Sequence, residues 1–96
     1  MKHTVMFKLT GSAEERKALA TRFAEALMEL PAIIPQLSSM QTGLNINPKE
    51  EYDVILTAEA ASLADIAAYS AHPAHLACVD IIKGHVASRA CVDYDD

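Results

Sequence analysis

Tyr69, His72 and His75 fall within seven residues of one another, in the run Tyr69-Ser70-Ala71-His72-Pro73-Ala74-His75, and His3 stands near the other end of the chain. A phenol can donate a hydrogen bond to a carbonyl oxygen. Imidazole is the side chain that changes charge near neutral pH. Brought onto one pocket, these groups suit proton transfer next to a carbonyl. Pro73 cannot continue a helix but starts one well, so His72 reads as a cap and His75 as a first-turn residue. A helix N-terminus disfavours the imidazolium and keeps the ring neutral, as a general base must be. In one of the readings left open, His75 is the base, with Tyr69 and His3 holding the developing enolate oxygen.

Each of these residues also has a purely structural role open to it. His3 shares a strand face with Val5, Phe7 and Leu9 and could be a core imidazole satisfied by one hydrogen bond. Tyr69 could be a core ring whose hydroxyl bonds an imidazole or the backbone. The two rings of the His-Pro-Ala-His run could bond helix-end backbone. Arg89 is open to two roles: binding a substrate carboxylate, or pairing with Asp or Glu at the sheet edge. Phe7 and Phe23 point into the same interior and are read as pocket lining.

His72, His75 and Cys78 repeat an i, i+3 spacing. Closed zinc sites draw paired ligands from two segments, and His72 and His75 straddle a helix start, so no metal is expected. No glycine-rich nucleotide motif, Ser-His-Asp order or cysteine-rich cluster is present, and no cofactor is expected. The two cysteines, Cys78 and Cys91, sit in apolar settings and read as free, inert thiols.

The elements that must position these groups follow from periodicity. Residues 2–9 alternate, a half-buried strand. Ser12 with Glu15 is a capping-box signature. Leu19, Phe23, Ala26, Leu27 and Leu30 then recur at helical spacing to about Leu30, and Pro31 ends that helix. Leu37 to Ile46 and Tyr52 to Ala58 read as the second and third strands, joined by a turn over Asn45 to Lys49. Ser62 caps a short helix through Tyr69. A further helix runs from Pro73 to about Lys83, where Gly84 stops it. Ala87 to Tyr94 is the fourth strand, and Asp93-Tyr94-Asp95-Asp96 reads as a solvated tail in which Tyr94 anchors a dimer.

The order is βαββαβ with the second helix split. It predicts an α+β, ferredoxin-like domain: a four-stranded antiparallel sheet with helices on one face, a single domain over 1–96. The opposite face is semi-apolar, with Met6, Met40 or its neighbours, Ile55 and Val92. Two copies packed face to face would cover both, so a homodimer is expected. With 51% hydrophobic residues in 96, the chain also has much apolar surface for a small body to hide. A net charge of −5 with scattered Lys and Arg excludes a nucleic-acid surface. No apolar run reaches the roughly 18 residues of a membrane span, and the N-terminus does not read as a signal peptide, so the cytoplasm is expected.

The segments Lys2-His3-Thr4-Val5-Met6-Phe7-Lys8, Gly43-Leu44-Asn45, Tyr52, the Tyr69 to His75 run and Val92-Asp93-Tyr94 together resemble the stress-responsive dimeric α/β-barrel (Dabb) domain family. The resemblance spans nearly the whole chain in the right order. It implies two ferredoxin-like subunits joined as an α/β barrel, with a small-molecule pocket between each sheet and its helices. Most members of the family have no assigned chemistry. One, a plant polyketide cyclase, closes a linear tetraketide thioester by an aldol reaction. By its pattern the strand-one histidine falls on His3, the catalytic histidine on His75, the pocket tyrosine on Tyr69 and pocket-lining positions on Leu56, Leu63 and Ile66. Arg89 stands where that pocket has an aliphatic residue. What the resemblance implies is either a cofactor-free cyclase, lyase or monooxygenase acting on a polyketide-like or phenolic substrate, or a ligand-binding, stress-protective dimer without turnover.

Overall fold

The computed structural model describes residues 1–95; Asp96, the last residue of the expected acidic tail, lies outside the described residues. The elements are β1 (Lys2–Leu9), α1 (Ala13–Met28), a 3₁₀ turn at Leu30–Ala32, β2 (Ser39–Leu44), β3 (Val54–Glu59), α2 (Leu63–Ala71), α3 (Pro73–Ile82) and β4 (Val86–Tyr94). The sheet is antiparallel in the order β2-β3-β1-β4, the ferredoxin-like βαββαβ arrangement that the element order predicts. The expected second strand is trimmed at both ends. Leu37 instead belongs to the core beneath the chain that leads from α1, and Ile46 is almost fully exposed in the β2–β3 loop.

α1 begins where the sequence signals it. The Ser12 hydroxyl accepts from the Glu15 N–H and the Glu15 carboxylate accepts from the Ser12 N–H, both at 3.1 Å. Those bonds hold the Glu15 carboxyl below the usual carboxylate range. Ala20, Phe23, Ala24 and Leu27 form its buried stripe. α3 ends before Gly84, whose φ of +82° is open to glycine at little cost.

Register settles which side chains share a face. β1 sits between β3 and β4, with Val5 opposite Leu56 and Cys91, and His3 opposite Ala58 and Asp93. Side chains alternate along a strand, so His3, Val5, Phe7, Leu56, Arg89, Cys91 and Asp93 all belong to the helix side. Met40 joins them: it pairs with Ala58 and is buried, so it belongs to the core and not to the uncovered face. That uncovered face carries Met6, Ile55, Val92 and Tyr94, each exposed.

At the Leu9 end of β1 a polar knot ties sheet to helix. Asp53 accepts from the Leu9 N–H at 2.7 Å and from Arg16 Nε at 3.2 Å. Arg16 also donates to the Gly11 carbonyl at 2.9 Å, and the Asp53 N–H donates to the Phe7 carbonyl at 2.8 Å.

Candidate functional site

At the other end of β1, four elements converge. β1 supplies His3, β4 supplies Arg89, Cys91 and Asp93, α2 supplies Tyr69, and α3 supplies His75. The turn between α2 and α3 does the positioning. His72 is both the last cap of α2 and the first cap of α3, and its Nδ1 accepts from the Ala74 N–H at 3.0 Å. That bond spends its ring on the backbone, as the sequence reading expects, and Pro73 then starts α3 directly.

The His75 ring lies 4.4 Å from the Tyr69 ring, centroid to centroid, tilted by 54°. His75 Nδ1 lies 2.9 Å from the Ser70 carbonyl. A carbonyl only accepts, so Nδ1 carries the proton and Nε2 keeps a lone pair in the neutral ring. Burial pushes the His75 imidazole below its ordinary value; the Ser70 bond opposes this, while His3 and Arg89 add to it. The net shift favours the neutral ring, with its lone pair on Nε2.

Tyr69 is 1% exposed, and its hydroxyl has no hydrogen-bond partner among the described residues. Buried tyrosine hydroxyls are normally paired, because an unmade bond costs about 1–3 kcal/mol. Burial pushes its phenol well up, the nearby Cys78 thiol adds to this and Arg89 opposes it, so the group is a hydrogen-bond donor and not a phenolate. The Tyr69 ring meets His3 edge-on at 6.1 Å.

His3 is 7% exposed, and its Nδ1 stands 2.5 Å from Asp93 Oδ1. A carboxylate accepts, so Nδ1 carries the proton that faces Asp93, and in the neutral tautomer the lone pair falls on Nε2. This overturns the reading of Asp93 as part of a solvated tail. Asp93 and Tyr94 are the last residues of β4, and Asp93 is drawn to the helix side by its pairing opposite His3.

Arg89 makes no ion pair among the described residues. It is exposed on the helix side of the edge strand, where its charge reaches His75, Tyr69 and Cys91. The other expected lining residues divide. Phe7 and Phe23 stack edge-on at 5.4 Å and 90°, and with buried Leu56 they close the core. Ile66 is buried one turn before Tyr69. Leu63 is 64% exposed at the start of α2 and takes no part in the cluster. Two clefts open elsewhere. One, of about 370 Å³, lies on the uncovered sheet face around Met6, Gly43, Tyr52 and Ile55. The other, of about 710 Å³, lies between the start of α1 and the β2–β3 loop.

The sequence reading missed two neighbours of His3. Cys91 Sγ lies 3.6 Å from His3 Nδ1 and 3.9 Å from Asp93 Oδ1. Cys91 and Asp93 are two apart on a strand, a spacing that puts both on one face, but only the β1–β4 register tells which residue they meet. Burial and the Asp93 carboxylate raise the Cys91 thiol, with Arg89 pulling the other way.

A ferredoxin-like α+β domain with an unpartnered tyrosine hydroxyl and two oriented imidazoles at one end of its sheet defines the class. The stress responsive A/B barrel domain (Dabb) family model matches residues 1–96, and the chain belongs to that family. A dimeric protein of unknown function with a ferredoxin-like fold from Bacteroides fragilis is 39% identical, with 99% of this chain and 94% of that one covered and a TM-score of 0.94. A dimeric ferredoxin-like protein of unknown function from Thermobifida fusca is 29% identical over 95% of this chain and 85% of that one, TM-score 0.73. The hydroxynitrile lyase of Passiflora edulis is 13% identical over 97% of this chain and 89% of that one, TM-score 0.75, a likeness of fold alone. No curated protein matches the sequence. No helix among the described residues is long and apolar enough to cross a membrane.

Proposed function

We propose that the Tyr69–His75–His3 cluster is a cofactor-independent acid–base site for a small carbonyl compound of polyketide-like or phenolic type, with cyclase-like chemistry. His75 Nε2 takes a proton from the carbon next to the carbonyl, and the Tyr69 hydroxyl donates to the oxygen on which negative charge develops. His3, held by Asp93, is the second polar group of the site. Arg89 at the rim suits a substrate carboxylate. The observation that carries this reading is the Tyr69 hydroxyl, buried and unpartnered beside a neutral His75.

The working unit in this reading is a homodimer. Two copies would bury the uncovered sheet face with its exposed Met6, Ile55, Val92 and Tyr94, and the Bacteroides and Thermobifida relatives are dimeric. A second reading, ligand binding without turnover, draws support from the closed packing of Phe7, Phe23 and Leu56, which leaves little room for a long chain.

Native mass spectrometry of the purified dimer, followed by turnover assays on linear β-polyketone thioesters and phenolic acids, tests both. Turnover that falls about 10²–10⁴-fold in His75→Ala, with folding intact, supports the acid–base reading. A bound small molecule that survives unchanged in His75→Ala and is never converted supports binding alone.

A further inference from the structure

Three donor atoms of different chemistry meet at the edge of the sheet, and the acid–base reading leaves one of them, the Cys91 thiol, unused. We propose that His3, Cys91 and Asp93 form a three-ligand site for a zinc-class divalent cation. His3 Nδ1, Cys91 Sγ and Asp93 Oδ1 all lie within 4.8 Å of one another. Zinc bonds of about 2.0–2.3 Å in tetrahedral geometry place neighbouring donors roughly 3.3–3.8 Å apart. The 3.6 Å nitrogen–sulfur distance falls within that spacing and the 3.9 Å sulfur–oxygen distance lies just beyond it. The 2.5 Å nitrogen–oxygen distance is that of a short hydrogen bond, whose proton the ion would replace. Asp93, its side chain 35% exposed, has room to swing back by about an ångström.

The donor set chooses the metal. A thiolate and an imidazole beside one carboxylate suit zinc and its neighbours, whereas magnesium and calcium demand oxygen ligands. A nucleophilic Cys-His-Asp relay is the competing use of these residue types, but it needs thiol and carboxylate on opposite ring nitrogens. Here both address Nδ1. The protons balance simply. Starting from the neutral ring, the thiol proton leaves to solvent and the Nδ1 proton is lost while Nε2 gains one, so the ring stays neutral. The carboxylate is already ionised, so one proton is released per ion and the filled site is electrically neutral, which suits its partly buried position. His3 Nε2 then becomes a donor where it was an acceptor. The site stands whether or not the protein turns over a substrate.

The test is titration of the intact protein with cobalt(II) chloride, followed in the thiolate-to-cobalt charge-transfer absorption, with zinc chloride as competitor. The expected result is saturation at one ion per chain, release of one proton, and displacement by zinc. Cys91→Ser should abolish the band. Asp93→Asn should weaken binding by at least the 10–100-fold typical of losing a mere outer-shell partner, roughly. Cys78→Ser and His75→Ala should leave the titration unchanged. Both ligand positions on β4 are on an edge strand and partly exposed, and circular dichroism confirms folding of each variant; Cys91→Ser alone suffices if Asp93→Asn does not fold. Absence of the band in the wild type, its survival in Cys91→Ser, or tighter binding of magnesium than of zinc overturns the proposal.

Discussion

The two ends of β1 each carry a polar cluster built around an aspartate, and the two are satisfied to different degrees. At the Leu9 end, both Asp53 oxygens have donors, and Arg16 spans from Asp53 to the Gly11 carbonyl. At the His3 end, about 20 Å away along the strand, a buried hydroxyl has no partner and a thiol crowds an imidazole that is already bonded. A fully satisfied cluster stabilises a fold. An incompletely satisfied one persists only where something else gains from it. The difference supports the proposal that a ligand completes the bonding at the His3 end.

Substitutions at each end should therefore move stability in opposite directions. Asp53→Ala should have the largest effect, about 2 kcal/mol lost, because it strands the Leu9 N–H and unpairs Arg16. Calorimetry would read that as a melting point lower by roughly 8–16 °C; a drop under about 2 °C would erase the contrast between the ends. Tyr69→Phe should act the other way and gain about 1 kcal/mol, since it deletes a hydroxyl with nothing to bond. Chemical denaturation of Tyr69→Phe with an unchanged m-value and a higher midpoint would sharpen the contrast, and a lower midpoint would break it. Ser12→Ala, beside the Leu9 end, removes one half of the capping box and should cost slightly under about 1 kcal/mol, read by the same denaturation series.

The smallest effect is a pH dependence confined to the His3 end. The His75 imidazole is depressed below its ordinary 6.5 in the folded protein. The unfolded chain then binds the proton more readily, so the contribution of His75 to stability is full above 6.5 and is lost as pH falls through the folded value. Melting points taken from pH 8 down to about pH 5 should decline more steeply in the wild type than in His75→Gln. Parallel curves would remove His75 as a half-buried neutral base.

Local signals made the scaffold legible. The β1 alternation, the Ser12–Glu15 box and the His72-Pro73 junction are each readable within a few residues and stand where expected, whereas α1 ends at Met28, before the expected Leu30, and Pro31 falls in a 3₁₀ turn. What escaped depends on distant pairing. Asp93 could not be told from a tail until the β1–β4 register set it opposite His3, 90 residues away. Met40 alternates equally well on either face, and only its pairing with Ala58 turns it inward. Leu63, which the family resemblance places among the pocket-lining positions, is 64% exposed for a helical reason. Each three-residue step on a helix falls about 60° short of a full turn, so a stripe centred on Tyr69 and Ile66 has rotated toward solvent by Leu63. Tyr69 and His75 were paired from the junction motif alone, because helix caps are local; that the hydroxyl would be left unbonded was not.

His72 ends one helix and begins the next with no residue in between, so α2 and α3 are two rigid arms on a one-residue pivot. Tyr69 rides on the first arm and His75 on the second. An arm of ten residues is about 15 Å long, so turning the pivot by ten degrees carries its far end about 2–3 Å. Tyr69 and His75 lie only three residues either side of that junction, so the same ten degrees shifts one against the other by less than about an ångström, and the bond from His75 Nδ1 to the Ser70 carbonyl, which crosses the junction, holds their spacing.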